Sequence, residues 1–337
     1  MKNHKTLFKW IFIIGAVAAV IWMNRVQLPR IYHALVNMSP ILLILALICS
    51  FCYFFLEGTI ITLLSRKYRS DFTVNEGITG AFFCQFYRML TLGSGTAISE
   101  VYYLHTRNVA AAKATGMCLV QYLAQRITIA FLGLLSGIYI YTSYSDIVVD
   151  HKNQIILSYG ISLIVVCAII FAGTCHRAVN HLFTFFERLI NPLSSASRRL
   201  FAIKHQVNLF QLACLELLRE GGRLVKLFFL NILKILCQMA IPAILLFDEK
   251  HPEDFFMMLS LAGMVYVLAG VIPAPGGIGS LEWVFILLFQ EIMPIEAATA
   301  AVIVNRLFFS LLPFLVGAVV SAIQHPDKQA FSQFEQI

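Results

Sequence analysis

Two glutamates and two arginines stand at matched intervals in apolar surroundings. Glu100 is followed by Arg126 after 26 residues (126 − 100), and Glu282 by Arg306 after 24 (306 − 282). An arginine at mid-membrane depth costs about 2.5–3.5 kcal/mol on insertion scales, so two of them need partners or a purpose. Two chemistries fit. Arg126 can pair with Glu100 and Arg306 with Glu282, clamping each acid-bearing segment against the later helix. Alternatively the guanidinium groups receive an anionic headgroup such as a phosphodiester, which their planar fork of donors suits. Both can hold together, because an arginine bound to one carboxylate keeps donors for phosphate. Each arginine follows an amide, Gln125 or Asn305, and Gln121 lies one turn before Gln125 on a common face.

Broken apolar segments must position these groups. Pro273-Ala274-Pro275-Gly276-Gly277-Ile278-Gly279-Ser280-Leu281-Glu282 interrupts the runs 255–272 and 283–293. Pro273 and Pro275 remove backbone donors and push the residues before them off helical geometry. Gly276, Gly277 and Gly279 then permit turns that other residues resist. In a bilayer such a break survives only where protein covers it or where it lines a polar cavity. Ser280 reads as the N-cap of a helix beginning near Leu281, which would aim its positive end into the membrane interior, a site for phosphate or carboxylate. A simple kink or interhelical loop fits the motif as well.

The stretch Thr91-Leu92-Gly93-Ser94-Gly95-Thr96-Ala97-Ile98-Ser99-Glu100 aligns with Pro273–Glu282 without a gap, Gly95 on Gly277 and Glu100 on Glu282. Gly93 and Gly95 are its helix-breaking residues. Broken hairpin, long helix and buried arginine thus occur twice, over about 77–142 and 255–322, as transporter repeats do.

Composition bounds the class. The chain has 337 residues, 59% hydrophobic and 13% charged, against about 45–50% and about 25% in soluble domains, so it is an all-α polytopic membrane protein forming one integral membrane domain. Spans are expected at 7–23, 39–64, 114–142, 154–174, 226–247 and 296–322, about six, with two re-entrant hairpins between them. The loop at 66–69 and the segment 175–223 are basic, while 146–152 and 248–254 carry the acids. The positive-inside bias therefore puts both termini in the cytoplasm, the first hairpin on the cytoplasmic side and the second outside, an inverted repeat. Residues 175–223 repeat apolar side chains at helical spacing, as an interfacial amphipathic helix does. Glu57, inside the second span, is expected to face the bundle, protonated or paired. The net charge of +7 fits loop bias and anionic lipid rather than nucleic acid, for which no module is present. Cys49 and Cys52 have CxxC spacing inside an apolar helix with no second pair, so neither a metal nor another cofactor is expected.

These residues resemble the transmembrane, flippase-like part of lysylphosphatidylglycerol synthetases and their stand-alone relatives. The resemblance rests on Pro273–Gly279 with Glu282, on Asn305-Arg306-Leu307 followed by Leu312-Pro313 and Gly317, and more loosely on Ser99–Leu104 and Gln125-Arg126. It covers roughly residues 40–322. It implies a bundle in a bacterial or archaeal cytoplasmic membrane that binds or moves a phospholipid or lipid-linked headgroup. In bifunctional members a further domain transfers lysine to phosphatidylglycerol; the chain ends about fifteen residues past the last span, so that activity is not expected of it.

Three functions follow as expectations. A translocase would take an anionic or aminoacylated headgroup into a cavity bordered by Arg126, Arg306, Glu100, Glu282, Gln125, Asn305, Gly276, Gly277, Gly279 and Ser280. No Walker lysine follows the glycines, so no nucleotide drive is evident. A lipid-modifying enzyme would use Glu100 or Glu282 as a base, a poor one beside an arginine. An accessory subunit would hold a separate lipid-modifying enzyme, or a second copy, on small-residue faces such as Gly133 with Gly137.

Overall fold

The computed structural model describes residues 38–93, 95–144, 152–189, 195–247, 254–272 and 279–323, with residues 29, 32, 35 and 36 before them. The expected first span at 7–23, most of the acidic loop at 248–254, Ser94, and the motif residues Pro273, Pro275, Gly276 and Gly277 lie outside the described residues. Every regular element among those described is helical. Six helices are long and apolar enough to cross a membrane, and the protein is an all-α polytopic membrane protein. One differs from expectation: Asp254–Val271, read above as a hairpin arm, has 18 residues and is long enough to cross.

Helix α1 (Pro40–Ser65) opens with proline in its first turn, where the missing N–H would have had no partner. A basic turn leads to α2 (Val74–Leu90), started by a capping box in which Thr73 and Glu76 exchange hydrogen bonds. The chain then breaks. The Gly93 N–H donates to the Arg88 carbonyl at 2.8 Å, closing a Schellman turn whose left-handed position is held by Leu92 at φ 49° rather than by glycine. The Thr91 hydroxyl accepts from the Gly95 N–H at 2.8 Å and donates to the Tyr87 carbonyl at 2.7 Å. Helix α3 (Thr96–Thr106) returns along α2. Its far end is tied to the start of α2, where Tyr103 donates to the Glu76 carbonyl at 2.6 Å and Arg107 lies 3.9 Å from the Glu76 carboxylate. These bonds close a hairpin with both ends on one face.

Helix α4 (Ala111–Ser143) starts at that face. Lys113 reaches Glu216 at 3.1 Å and Lys67 reaches Glu220 at 2.9 Å. The Tyr68 hydroxyl donates to Glu216 at 2.6 Å and, aided by Lys113 against the effect of burial, holds its carboxyl below the usual range. Helix α5 (Lys152–Thr174) follows, then α6 (His176–Leu189) and α7 (Ser195–Leu218). The expected interfacial segment is thus two helices, the second lying along α4 and α5. Gln211 is fully buried and donates to the Ala172 carbonyl at 2.7 Å, and Gly116 lets the Leu209 carbonyl come close.

Helix α8 (Gly221–Leu245) leaves the same face and packs along α1. Pro242 cannot donate to the Gln238 carbonyl, and Tyr266 supplies a hydroxyl to it at 3.4 Å. Helices α9 (Asp254–Val271) and α10 (Ser280–Phe289) form the second packed pair around a break. Helices α11 (Ile295–Arg306) and α12 (Leu312–Ile323) are joined by a π-helical turn, Leu307–Leu311. Pro313 removes a donor there; Ser50 donates to the Phe308 carbonyl at 2.6 Å and Gln85 to that of Ser310 at 3.4 Å.

Three helix pairings match when the halves are exchanged. Helix α1 packs on α8, α2 on α12 and α4 on α9, so each hairpin's first arm rests on the long helix of the other half. Gly133 and Gly137 are used inside the chain, against Val267 and Tyr159, and do not form the exposed association face expected of them.

Candidate functional site

Both breaks open onto one cavity of about 630 Å³ between the halves. From the first, Gly93 and Thr96 line it; from the second, Ile272, Ser280 and Leu281. Its wall carries the guanidinium groups of Arg88, Arg126 and Arg306 and the carboxyl groups of Glu57, Glu100 and Glu282. Gln121, Gln125 and Asn305 line it too. Gly95 and Gly279 are not among the lining residues; they shape the turns behind it.

The expected clamp forms in one half. Arg306 donates to Glu282 in a short ion pair, and the other carboxylate oxygen accepts from the Gly279 N–H at 2.8 Å. Glu282 therefore caps α10 and holds the arginine at once. Ser280 is the first residue of that helix, not its cap: Gly279, at φ 89°, is the cap, because only glycine takes that conformation without strain.

In the other half the expected pair is absent. Arg126 lies over the Tyr122 ring at 5.0 Å, and a methyl on Gly270 would stand 3.1 Å from its Nη1. The glycine thus admits the guanidinium to the last turn of α9, where free carbonyls carry partial negative charge. Among the described residues Arg126 has no carboxylate partner, nor has Arg88. Glu100 is buried, with Cys118 as a neighbour. The reason is positional: Glu100 sits deep against α4, where Cys118 and Gln121 rather than Arg126 face it.

Glu57 is paired, as one of its two readings expected. Lys234, fully buried on α8, reaches it at 2.6 Å, and Gln121 donates to its other oxygen at 3.0 Å. The pair spans 177 positions, and only the buried placement of each charge hinted at it. Arg88, Tyr53 and Tyr266 were not expected at the site. Tyr53 lies under Lys234 at 5.6 Å, and Tyr266 donates to the Gln238 carbonyl.

The charges can now be balanced. Lys234 holds Glu57 and Arg306 holds Glu282, which leaves Arg88, Arg126 and the buried acid Glu100 without ion-pair partners among the described residues lining the cavity. Gln121 Oε1, Asn305 Oδ1 and Glu100 Oε1 are buried with no hydrogen-bond partner. Such a wall offers two free guanidinium groups and unfilled acceptors to a polar guest. The rim is less polar: Leu92, Ala97, Tyr122 and Gly270 are exposed, with Ile98 and Trp283 exposed nearby. Among the described residues no group of histidines, cysteines or acids could hold a metal ion.

A family model described as lysylphosphatidylglycerol synthase TM region matches residues 9–317. No curated protein matches the chain.

Proposed function

The chain belongs to the lysylphosphatidylglycerol synthase transmembrane-region family, and from that premise we propose that it is a lipid translocase binding an anionic or aminoacylated phospholipid headgroup in the cavity between its halves. The observation that carries the reading is the pair of guanidinium groups, Arg88 and Arg126, left without carboxylate partners in a cavity that both helix breaks enter. Leaving them uncompensated is costly in lipid, and a phosphodiester offsets that cost with charge-assisted bonds. Arg306, Asn305, Gln125, Ser280 and the start of α10 complete the receptor. The apolar rim suits a ligand whose chains remain in the bilayer.

The two hairpins are read as re-entrant halves of an inverted repeat. The exchange of packing partners supports this, as does the antiparallel course of α1, which ends at the charged face, and α8, which starts there. That face, with Lys67, Arg69, Arg107 and Lys113, is assigned to the cytoplasm by its positive charge. The membrane is that of a bacterial or archaeal cell.

The test is transport of fluorescent phosphatidylglycerol in proteoliposomes, read by dithionite quenching. Arg126→Ala removes charged hydrogen bonds of about 1.5–3 kcal/mol and should slow translocation at least tenfold, whereas Arg107→Ala, away from the cavity, should not. Equal rates for wild type and Arg126→Ala would contradict the reading. Glu100, having no ion-pair partner among the described residues, also suits a general base in a lipid-modifying enzyme; new lipid species on overexpression, seen by mass spectrometry, would favour that alternative.

A further inference from the structure

The acids at the repeated position are in opposite states. Glu282 is bound to Arg306 and to a helix start. Glu100 is 8% exposed, and its Oε1 has no hydrogen-bond partner. The groups facing it can be named helix by helix. Glu57 lies on α1, Cys84 on α2, Ser99 on its own helix, Cys118 and Gln121 on α4, and Lys234 on α8. Lys234, the cation among them, is held by Glu57 at 2.6 Å, and the Gln121 amide donates to Glu57 at 3.0 Å. Cys118 offers Glu100 a thiol, a weak donor.

An ionised carboxylate in this place has lost water without gaining a counter-ion. A neutral carboxyl has a hydroxyl to donate, and unfilled acceptors such as Gln121 Oε1 line the same cavity. The two forms also act differently on a guest. With Glu100 ionised the wall sets one free negative charge against Arg88 and Arg126; with Glu100 neutral both positive charges are available to an anion.

We propose that Glu100 is a proton-binding site coupled to occupancy of the cavity. Its carboxylate takes a proton from cavity water as an anionic headgroup enters, and returns it to water as the headgroup leaves. Anion and proton then travel together, so a pH difference across the membrane can drive the lipid. By linkage the coupling is reciprocal: protonation raises anion affinity by the factor by which the anion raises proton affinity. The inference rests on the headgroup reading above.

The probe is dihexanoylphosphatidylglycerol, whose phosphodiester stays ionised throughout, titrated calorimetrically into the purified full chain at a series of pH values. Paired buffers of different ionisation enthalpy count the protons taken up. The expected result is an affinity that falls towards tenfold per pH unit over the interval in which Glu100 titrates, with up to one proton bound per lipid. Glu100→Gln should bind at every pH as wild type does at low pH and take up no proton, while Glu282→Gln should keep the slope. The proton count on wild type stands even where a variant fails to fold. Binding by wild type with neither slope nor proton uptake would overturn the coupling alone, as would an unchanged slope in Glu100→Gln. Absence of binding at every pH would overturn the headgroup reading and this inference with it.

Discussion

Lys234 and Glu57 show how a single residue can be costly and necessary. The lysine is fully buried, and its charge is matched by one carboxylate at 2.6 Å and by the Tyr53 ring at 5.6 Å. Removing one partner of a buried pair costs about 3–5 kcal/mol, because the other charge stays behind uncompensated. Lys234→Met should therefore lower the thermal midpoint in detergent markedly, and the double variant Glu57→Leu, Lys234→Met should recover much of the loss. A double variant no better than the single one would show that the pair is not the source of the effect. At this scale the sequence was only partly legible. It placed Arg306 beside Glu282, a separation of 24 residues that the turn between α10 and α11 closes, but it also placed Arg126 beside Glu100 by the same arithmetic. Interval sets depth along a helix and does not set direction around it. Arg126 turns toward Tyr122 and Gly270, while Glu100 turns toward Cys118.

Among the elements, the two hairpins carry the account. The first is held shut at its open end by Arg69, which donates to the Arg107 carbonyl at 3.2 Å, and by Tyr103 on the Glu76 carbonyl. Its tip holds Leu92 in a left-handed turn that glycine would take more readily. Strain of this kind persists where the surroundings over-determine it, and it recurs at functional sites. Orientation of the hairpins is open to direct measurement. Cysteines introduced at exposed Ala110, after α3, and at exposed Gln290, after α10, can be offered an impermeant maleimide from each side, with the exposed native Cys52, Cys167 and Cys175 replaced. The re-entrant, inverted reading expects labelling from opposite sides, Ala110→Cys from the cytoplasm. Labelling of both from one side would contradict it. The helices themselves were legible because long apolar runs with few charges leave no other choice in lipid. The break at 91–95 was legible from Gly93 and Gly95, and the helix after it, α3, runs on to Thr106.

At the scale of the whole molecule, the main packing pairs match between the halves while the charges differ. Helix α2 packs on α12 and α4 on α9, so neither hairpin can shift without disturbing the long helix of the other half. Arg306 is clamped by Glu282, whereas Arg126 rests on the Tyr122 ring with no carboxylate partner among the described residues. No sequence pattern could have located Arg88, Tyr53 and Tyr266 at the shared wall, because they come there from three different helices. The central claim is that this wall binds a lipid phosphate, and a cryo-electron-microscopy map of the full chain in phosphatidylglycerol nanodiscs tests it most directly. The account predicts phosphate density in the cavity within hydrogen-bonding distance of Arg126, with acyl chains leaving past Tyr122 and Gly270. Lipid confined to the outer surface, with Arg126 and Arg88 facing only water, would contradict it.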